Sequence, residues 1–199
     1  MSIATLITGA SQLLTLRGRG PRRGAALTNV GLIKDGALLI SDGLIVAVGP
    51  HAKVEAHPLA RSAQQLDAAG RVILPGFVDS HTHLIYAASR ADEYELRIAG
   101  ASYEEIAKRG GGILNSVNKL RAATSDTLKR RALSALKQFA AYGTTTLEAK
   151  SGYGLDLASE LKILKLHKEL SAEQPVHIAT TFWCAHVITA SFRCRPSGA

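Results

Sequence analysis

At 199 residues, 46% of them hydrophobic, the chain can bury a substantial core and is too apolar to belong with disordered proteins. Its formal charge of +8 reflects 24 Lys and Arg against 16 Asp and Glu, and no run of about 18 apolar residues exists to cross a bilayer. Cys184 and Cys194 make no disulfide framework and Met1 to Ala10 lack a basic leader start, so a reducing cytoplasm without a signal peptide is the expected setting.

The chain opens with short strands, expected over Ile3–Ile7 and Gln12–Leu16. Arg17, Arg19, Arg22 and Arg23 follow among Gly18, Gly20, Pro21 and Gly24, a loop composition. No aromatic residue is interleaved to stack on bases, so the cluster predicts a solvated loop and no nucleic-acid partner. The basic excess also suits an anionic substrate, but net charge alone does not decide it. Leu38–Ile40 and Leu44–Val48 flank Ser41-Asp42-Gly43 and predict a hairpin. Pro50 to Gly70 has the look of a connector. With a boundary near Arg71, the expected division is 1–70, 71–186 and an atypical tail, 187–199.

The apolar run Val72–Val78, interrupted by Pro75-Gly76, predicts a buried strand that ends in Asp79-Ser80-His81-Thr82-His83. Alternate strand residues share a face about 7 Å apart, which puts Asp79, His81 and His83 together. Two imidazoles at that spacing can reach one metal at about 2.0–2.1 Å. They can equally be ordinary strand-end histidines. Delivery at the carboxyl end of a strand, where barrel enzymes keep their chemistry, favours the ligand reading. Asp79 fits a supporting role better than a ligand.

Beyond this strand, Ser102-Tyr103-Glu104-Glu105 has capping-box form and opens a helix that Gly110-Gly111-Gly112 ends. No Gly-Lys-Ser/Thr follows, so the triple glycine predicts a mobile loop and not a phosphate cradle. A helix from Ser125 puts Leu128, Ala132, Ala135, Leu136 and Phe139 on one face and closes at Gly143. Thr144–Ala149 predicts a second strand. Asp156 caps a helix carrying Leu157, Leu161, Ile163 and Leu164, and Val176–Trp183 a third strand after Pro175. This alternation is the start of a parallel α/β barrel.

Among polar residues near the strand ends, Arg90 suits either a surface position or a bidentate grip on a carboxylate. Tyr153 lies between two glycines that let the backbone approach a ligand, or it packs as a turn tyrosine. His186 alone fits a hydrogen-bonded loop histidine. Cys184 is expected as a small buried apolar residue.

Pro75-Gly76-Phe77-Val78-Asp79-x-His81-Thr82-His83 resembles the first-strand motif of metal-dependent amidohydrolases. Ser89-Arg90, Glu95-Leu96-Arg97, Gly100–Tyr103, Gly110–Ile113 and Glu148-Ala149-Lys150-Ser151-Gly152-Tyr153-Gly154 narrow the resemblance to the imidazolonepropionase family, from about Gly36 to His186. The resemblance implies the first three strands of a (β/α)8 barrel preceded by part of a small β-sandwich. It also implies one divalent metal, zinc or iron(II), on His81 and His83. Arg90, Tyr153 and His186 would contact substrate, with His186 on its carbonyl oxygen. The implied reaction is hydrolysis of the cyclic C–N bond of 4-imidazolone-5-propanoate to N-formimidoyl-L-glutamate by metal-activated water.

Lys150 resembles the one-metal type of site, where it is structural or electrostatic and not a carboxylated ligand. Cys184 and Trp183 depart from the residues usual in the family, and the pattern stops after His186. The family's other metal ligands, a histidine and an aspartate, and its catalytic glutamate have no match here. The expectation is therefore a truncated or frame-shifted chain that is inactive alone, with no catalytic residue beyond the metal site. In full-length form it would be a homodimer acting on a small-molecule substrate. Another cyclic amidohydrolase or deaminase, or a non-catalytic fragment, are the alternatives.

Overall fold

The computed structural model describes residues 4–18, 20–184 and 186 of the chain; Ile3, Arg19, Ala185, Cys194 and the expected tail 187–199 lie outside the described residues. The fold is mixed α/β and divides into two compact units, Met1–Pro75 and Gly76–Ala199.

In the first unit, β1 (Thr5–Thr8), β2 (Gln12–Leu14), β3 (Leu32–Ile33), β4 (Gly36–Ser41) and β5 (Leu44–Pro50) follow in order. β4 and β5 form the expected antiparallel hairpin. Its turn residues Asp42 and Gly43 both have positive φ, 52° and 74°, as a tight primed turn requires. The stretch expected as a connector is structured. It holds α1 (His51–Glu55), a 3-10 turn over Pro58–Ser62, and β6 (Gln64–Asp67), which pairs parallel with β1. The four strands run β5-β4-β1-β6, and Leu6, Ala37, Leu39, Val54 and Ala60 bury one face of the sheet. β7 (Val72–Ile73) pairs with β2, so these residues belong with the first unit.

The predicted Val72–Val78 strand is thus two strands. Pro75-Gly76 separates β7 from β8 (Phe77–Thr82). Gly76 has no room for a side chain, because a Cβ would overlap Thr145. β8 is also not buried: Phe77 is 55% and Val78 68% exposed. It pairs with β9 (Thr144–Lys150) on one side and, among the described residues, with no strand on the other.

The second unit builds its parallel sheet in the order β10-β9-β8, with β10 at His177–Thr181. Between β8 and β9 come α2 (Ala91–Ile98), α3 (Tyr103–Lys108), α4 (Ile113–Ala122) and α5 (Ser125–Ala141). The capping box at Ser102 is complete, with its side chain and that of Glu105 each bonded to the other's amide. Gly110–Gly112, expected as a loop, forms a short turn between α3 and α4. α6 (Leu157–Glu173) returns the chain to β10, with Asp156 as its N-cap at 2.7 Å from the Ser159 amide. Leu128, Ala132 and Leu136 of α5 meet Leu147 and Ala149 of β9 and Ile163, Leu166 and Leu170 of α6 in one core. The expected apolar face of α6 holds only in part: Ile163 is buried in the core, but Leu157 and Leu161 are exposed while Glu160 and His167 are buried.

Candidate metal and substrate site

The carboxyl ends of β8, β9 and β10 lie side by side because the strands are parallel. From β8 the chain delivers Asp79 and His81 and then His83, anchored by the buried pair Leu84 and Ile85. Asp79 Oδ1 accepts the His81 amide at 3.2 Å, a local turn that fixes the strand end. The His81 and His83 rings sit with centroids 6.0 Å apart.

Past β9, Ser151 bridges to the next strand. Its amide donates to the Thr181 carbonyl and its hydroxyl accepts the Trp183 amide, both at 2.9 Å. Gly152 then turns with φ 105°, where a Cβ would stand 2.7 Å from the Trp183 carbonyl oxygen and 3.1 Å from His186. Only glycine lets the post-β10 segment approach this closely. The result is a ring cluster: His83 meets Tyr153 edge-on at 4.7 Å and stacks on His186 at 5.2 Å, and Tyr153 and His186 are 5.2 Å apart.

Electrostatics favour the uncharged form of His83. Burial, then the neighbouring His186 and His81, push its pKa below the ordinary histidine value, while the Ser151 and Lys150 backbone acts in the opposite sense. Its Nδ1 is buried and has no partner among the described residues. A neutral imidazole with an unpartnered nitrogen fits a divalent metal, and His81 stands beside it. Among the described residues, no group of three or more His, Cys, Asp or Glu side chains could hold an ion. The pair fits part of a metal site, since catalytic zinc ordinarily has three protein ligands.

A cavity of about 270 Å³ opens beside these rings, lined by His83, Ser89, Arg90, Ser116, Leu120 and Tyr153 among others. A larger one, about 450 Å³, shares His83 but is otherwise formed largely by side chains such as Ala135, Phe139 and Tyr142. It holds none of the candidate substrate-binding residues, so the smaller cavity is the candidate site. Arg90 reaches the cavity already engaged: its Nε donates to Glu93 Oε2 at 2.7 Å. Lys150 lies 2.6 Å from Glu148 Oε1 and over the Trp183 ring at 4.7 Å. Thr181 also donates to Glu148, and hydrogen bonds from Lys150 and Thr181 hold that carboxyl below its usual range. Cys184 is exposed, not buried as expected.

Three groups went unnoticed in the sequence. Glu93 and Glu160 are buried carboxylates behind Arg90 and Tyr153, and His167 is a fully buried imidazole in α6. Glu160 accepts the amides of Gly152, Gly154 and Leu155 at 2.7–2.9 Å, and Arg121 Nε donates to the Gly154 carbonyl at 2.8 Å. An acidic residue in the first turn after Gly-Tyr-Gly was the available signal.

No family model matches the chain. Among curated relatives, it is 47% identical over 194 residues to imidazolonepropionase of Symbiobacterium thermophilum, covering 96% of this chain and 45% of that one. It is 45% identical over 191 residues to imidazolonepropionase of Chloroflexus aggregans, covering 96% and 44%. Among solved structures, guanine deaminase of E. coli gives a TM-score of 0.61 at 15% identity, covering 94% of this chain and 39% of that one. A variant atrazine chlorohydrolase of Arthrobacter aurescens, solved with zinc and atraton, gives 0.55 at 18% identity over 89% and 35%. The structural likenesses speak for the fold. In sequence this chain is imidazolonepropionase-like along nearly its whole length, while it spans less than half the length of the relatives it matches.

Proposed function

We propose that the chain serves imidazolonepropionase-type hydrolysis, opening the cyclic C–N bond of 4-imidazolone-5-propanoate to give N-formimidoyl-L-glutamate. The observation that carries this reading is the convergence of His83, Arg90 and Tyr153 on one cavity of about 270 Å³, with His81 and His186 packed against His83. His81 and His83 would hold one divalent ion, zinc or iron(II). When bound, such an ion lowers the pKa of a water and polarises the carbonyl it attacks. Arg90 would grip the propanoate carboxylate, Tyr153 would pack on the ring, and His186 would donate to the ring carbonyl oxygen.

In this reading the parallel sheet is the opening part of a (β/α)8 barrel and the first unit is part of a β-sandwich. The setting is cytoplasmic, the partner is a small molecule, and a complete enzyme would be a homodimer. The absence of a helix long and apolar enough to cross a membrane, among the described residues, is compatible with that setting.

The fold-level likeness to guanine deaminase supports a second reading, a related cyclic amidohydrolase or deaminase. A third reading is a chain that binds metal and substrate without catalysing alone, since His81 and His83 offer two ligands where catalytic zinc ordinarily has three from protein. Purified chain is loaded with zinc or iron(II) and given imidazolonepropanoate or guanine. Metal bound one-to-one with release of N-formimidoyl-L-glutamate supports the first reading. Turnover of guanine alone supports the second. Metal and substrate binding without turnover supports the third, and failure to bind either refutes the site.

A further inference from the structure

Glu93 stands behind Arg90 and does not itself line the cavity of about 270 Å³, whose wall Arg90 joins. It stands in the first turn of α2, is 8% exposed, and uses both oxygens. Oε2 takes Arg90 Nε at 2.7 Å and Nη2 at 2.5 Å. Oε1 accepts the Gly112 amide at 3.0 Å and Asn115 Nδ2 at 3.2 Å. One carboxylate therefore ties together the Arg90 segment, the glycine turn and the start of α4. The turn tolerates this only as glycine: Gly112 has φ 79°, and a Cβ on Gly111 would lie 2.9 Å from the Ile106 carbonyl oxygen. α4 has no side-chain cap at its N-terminus, so the Gly112 amide depends on Glu93 for a partner.

Among the described residues, the pairing engages only one edge of Arg90. Glu93 occupies the Nε and Nη2 edge of the guanidinium; a guanidinium has further N–H donors, and among the described residues no bond from Nη1 uses them. Burial opposes a charge on Glu93, yet hydrogen bonds from Arg90, Asn115 and Gly112 outweigh it and hold the carboxyl below its ordinary value. Glu93 is thus ionised at neutral pH.

We propose that Glu93 is a positioning residue: it fixes the Arg90 guanidinium with its Nη1 side left for a ligand carboxylate, and couples that orientation to the Gly110–Gly112 turn. This rests on the assignment of Arg90 to the substrate carboxylate. The coupling means that a carboxylate-bearing ligand should order the turn, while a ligand without one should not.

Two probes separate the possibilities on the chain as it stands: imidazole-4-propanoate, and 4-ethylimidazole, which lacks the carboxylate. Wild type should prefer the first by about tenfold, and Arg90→Ala should abolish that preference. Glu93→Gln should weaken imidazole-4-propanoate binding by roughly three- to tenfold and leave 4-ethylimidazole unchanged. It should also shift the Arg90 Nε–H resonance and speed exchange of the Gly112 amide. Should Glu93→Gln fail to fold, Glu93→Asp, which keeps the charge but shortens the reach, must show the same selective loss.

No preference in wild type, or no effect of Arg90→Ala, removes the Arg90 assignment and the proposal with it. An effect of Arg90→Ala beside a silent Glu93 variant overturns the Glu93 proposal alone. Tighter carboxylate binding in Glu93→Gln overturns it too, because Glu93 would then compete with the ligand.

Discussion

The His83 and His186 rings stack with centroids 5.2 Å apart and planes 24° from parallel, although they follow different strands of the sheet. A proton on His83 would place charge on a half-buried ring beside a second imidazole. Burial and then the His186 neighbour lower the His83 pKa. In His186→Ala, therefore, the His83 pKa should rise toward its ordinary value without fully reaching it, because the burial contribution remains. A pH titration of imidazole nitrogen resonances measures this. A His83 pKa at or above the ordinary value in wild type would contradict the arrangement.

Gly152 is the hinge of the ring cluster. With φ 105° and the Trp183 carbonyl 2.7 Å from a hypothetical Cβ, Gly152→Ala should cost about 1–3 kcal/mol in stability and push Trp183 and His186 away. Trp183 is the single tryptophan, so its fluorescence reports this movement directly. Denaturant melts should give a lower midpoint, and the emission maximum should shift to longer wavelength. Unchanged emission with unchanged stability would refute the close packing.

How much of this was legible depended on the range of the forces involved. The His81 and His83 pairing follows from the two-residue period of a strand, and the Ser102 and Asp156 caps from signals within four residues. α2 and α4 escaped notice for opposite reasons. α2 is short, with its acidic first turn at Asp92 and Glu93 hidden in a polar stretch, and α4 starts at a glycine with no capping side chain. The Gly112 amide is met by Glu93 across α3, a contact that no local pattern encodes. The same limit misassigned α6. Leucines suggested one face, but Glu160 turned toward the Gly152–Leu155 amides and carried His167 inside with it.

His167 makes stability depend on pH. Burial lowers its pKa to about 4; Glu160 acts to raise it and His83 to lower it further. The unfolded chain binds this proton near pH 6.5 and the folded chain only near 4. Stability is therefore fully present above about 6.5 and declines as pH falls to 4, by about 3 kcal/mol at most. Glu93, Glu148 and Asp156, whose carboxyls are held below their ordinary values, add losses that begin as pH falls toward those ordinary values, 4.5 for the two Glu and 3.8 for Asp156, and continue below them. Neither His167 ring nitrogen has a partner among the described residues, so His167→Leu should flatten the decline without lowering stability at pH 7. Urea midpoints across pH 4–7 for both proteins check this, and parallel slopes would count against it.

Glu160 carries the loop that presents Tyr153. Three amides, those of Gly152, Gly154 and Leu155, end on its carboxylate, which is 3% exposed. Removing the acceptor leaves buried donors, each costing about 1–3 kcal/mol if nothing replaces it. Glu160→Gln keeps one carbonyl oxygen but turns the other acceptor into a donor facing an amide hydrogen. Both variants should therefore destabilise the second unit, Glu160→Ala by about 3 kcal/mol or more and Glu160→Gln by less. The discriminating measurement is amide exchange. Gly152, Gly154 and Leu155 should lose protection well before the α5 and α6 core does, because Arg121 alone would still hold the loop through the Gly154 carbonyl. Loss of protection at the same rate throughout would mean that Glu160 supports the whole unit and not the Tyr153 loop in particular.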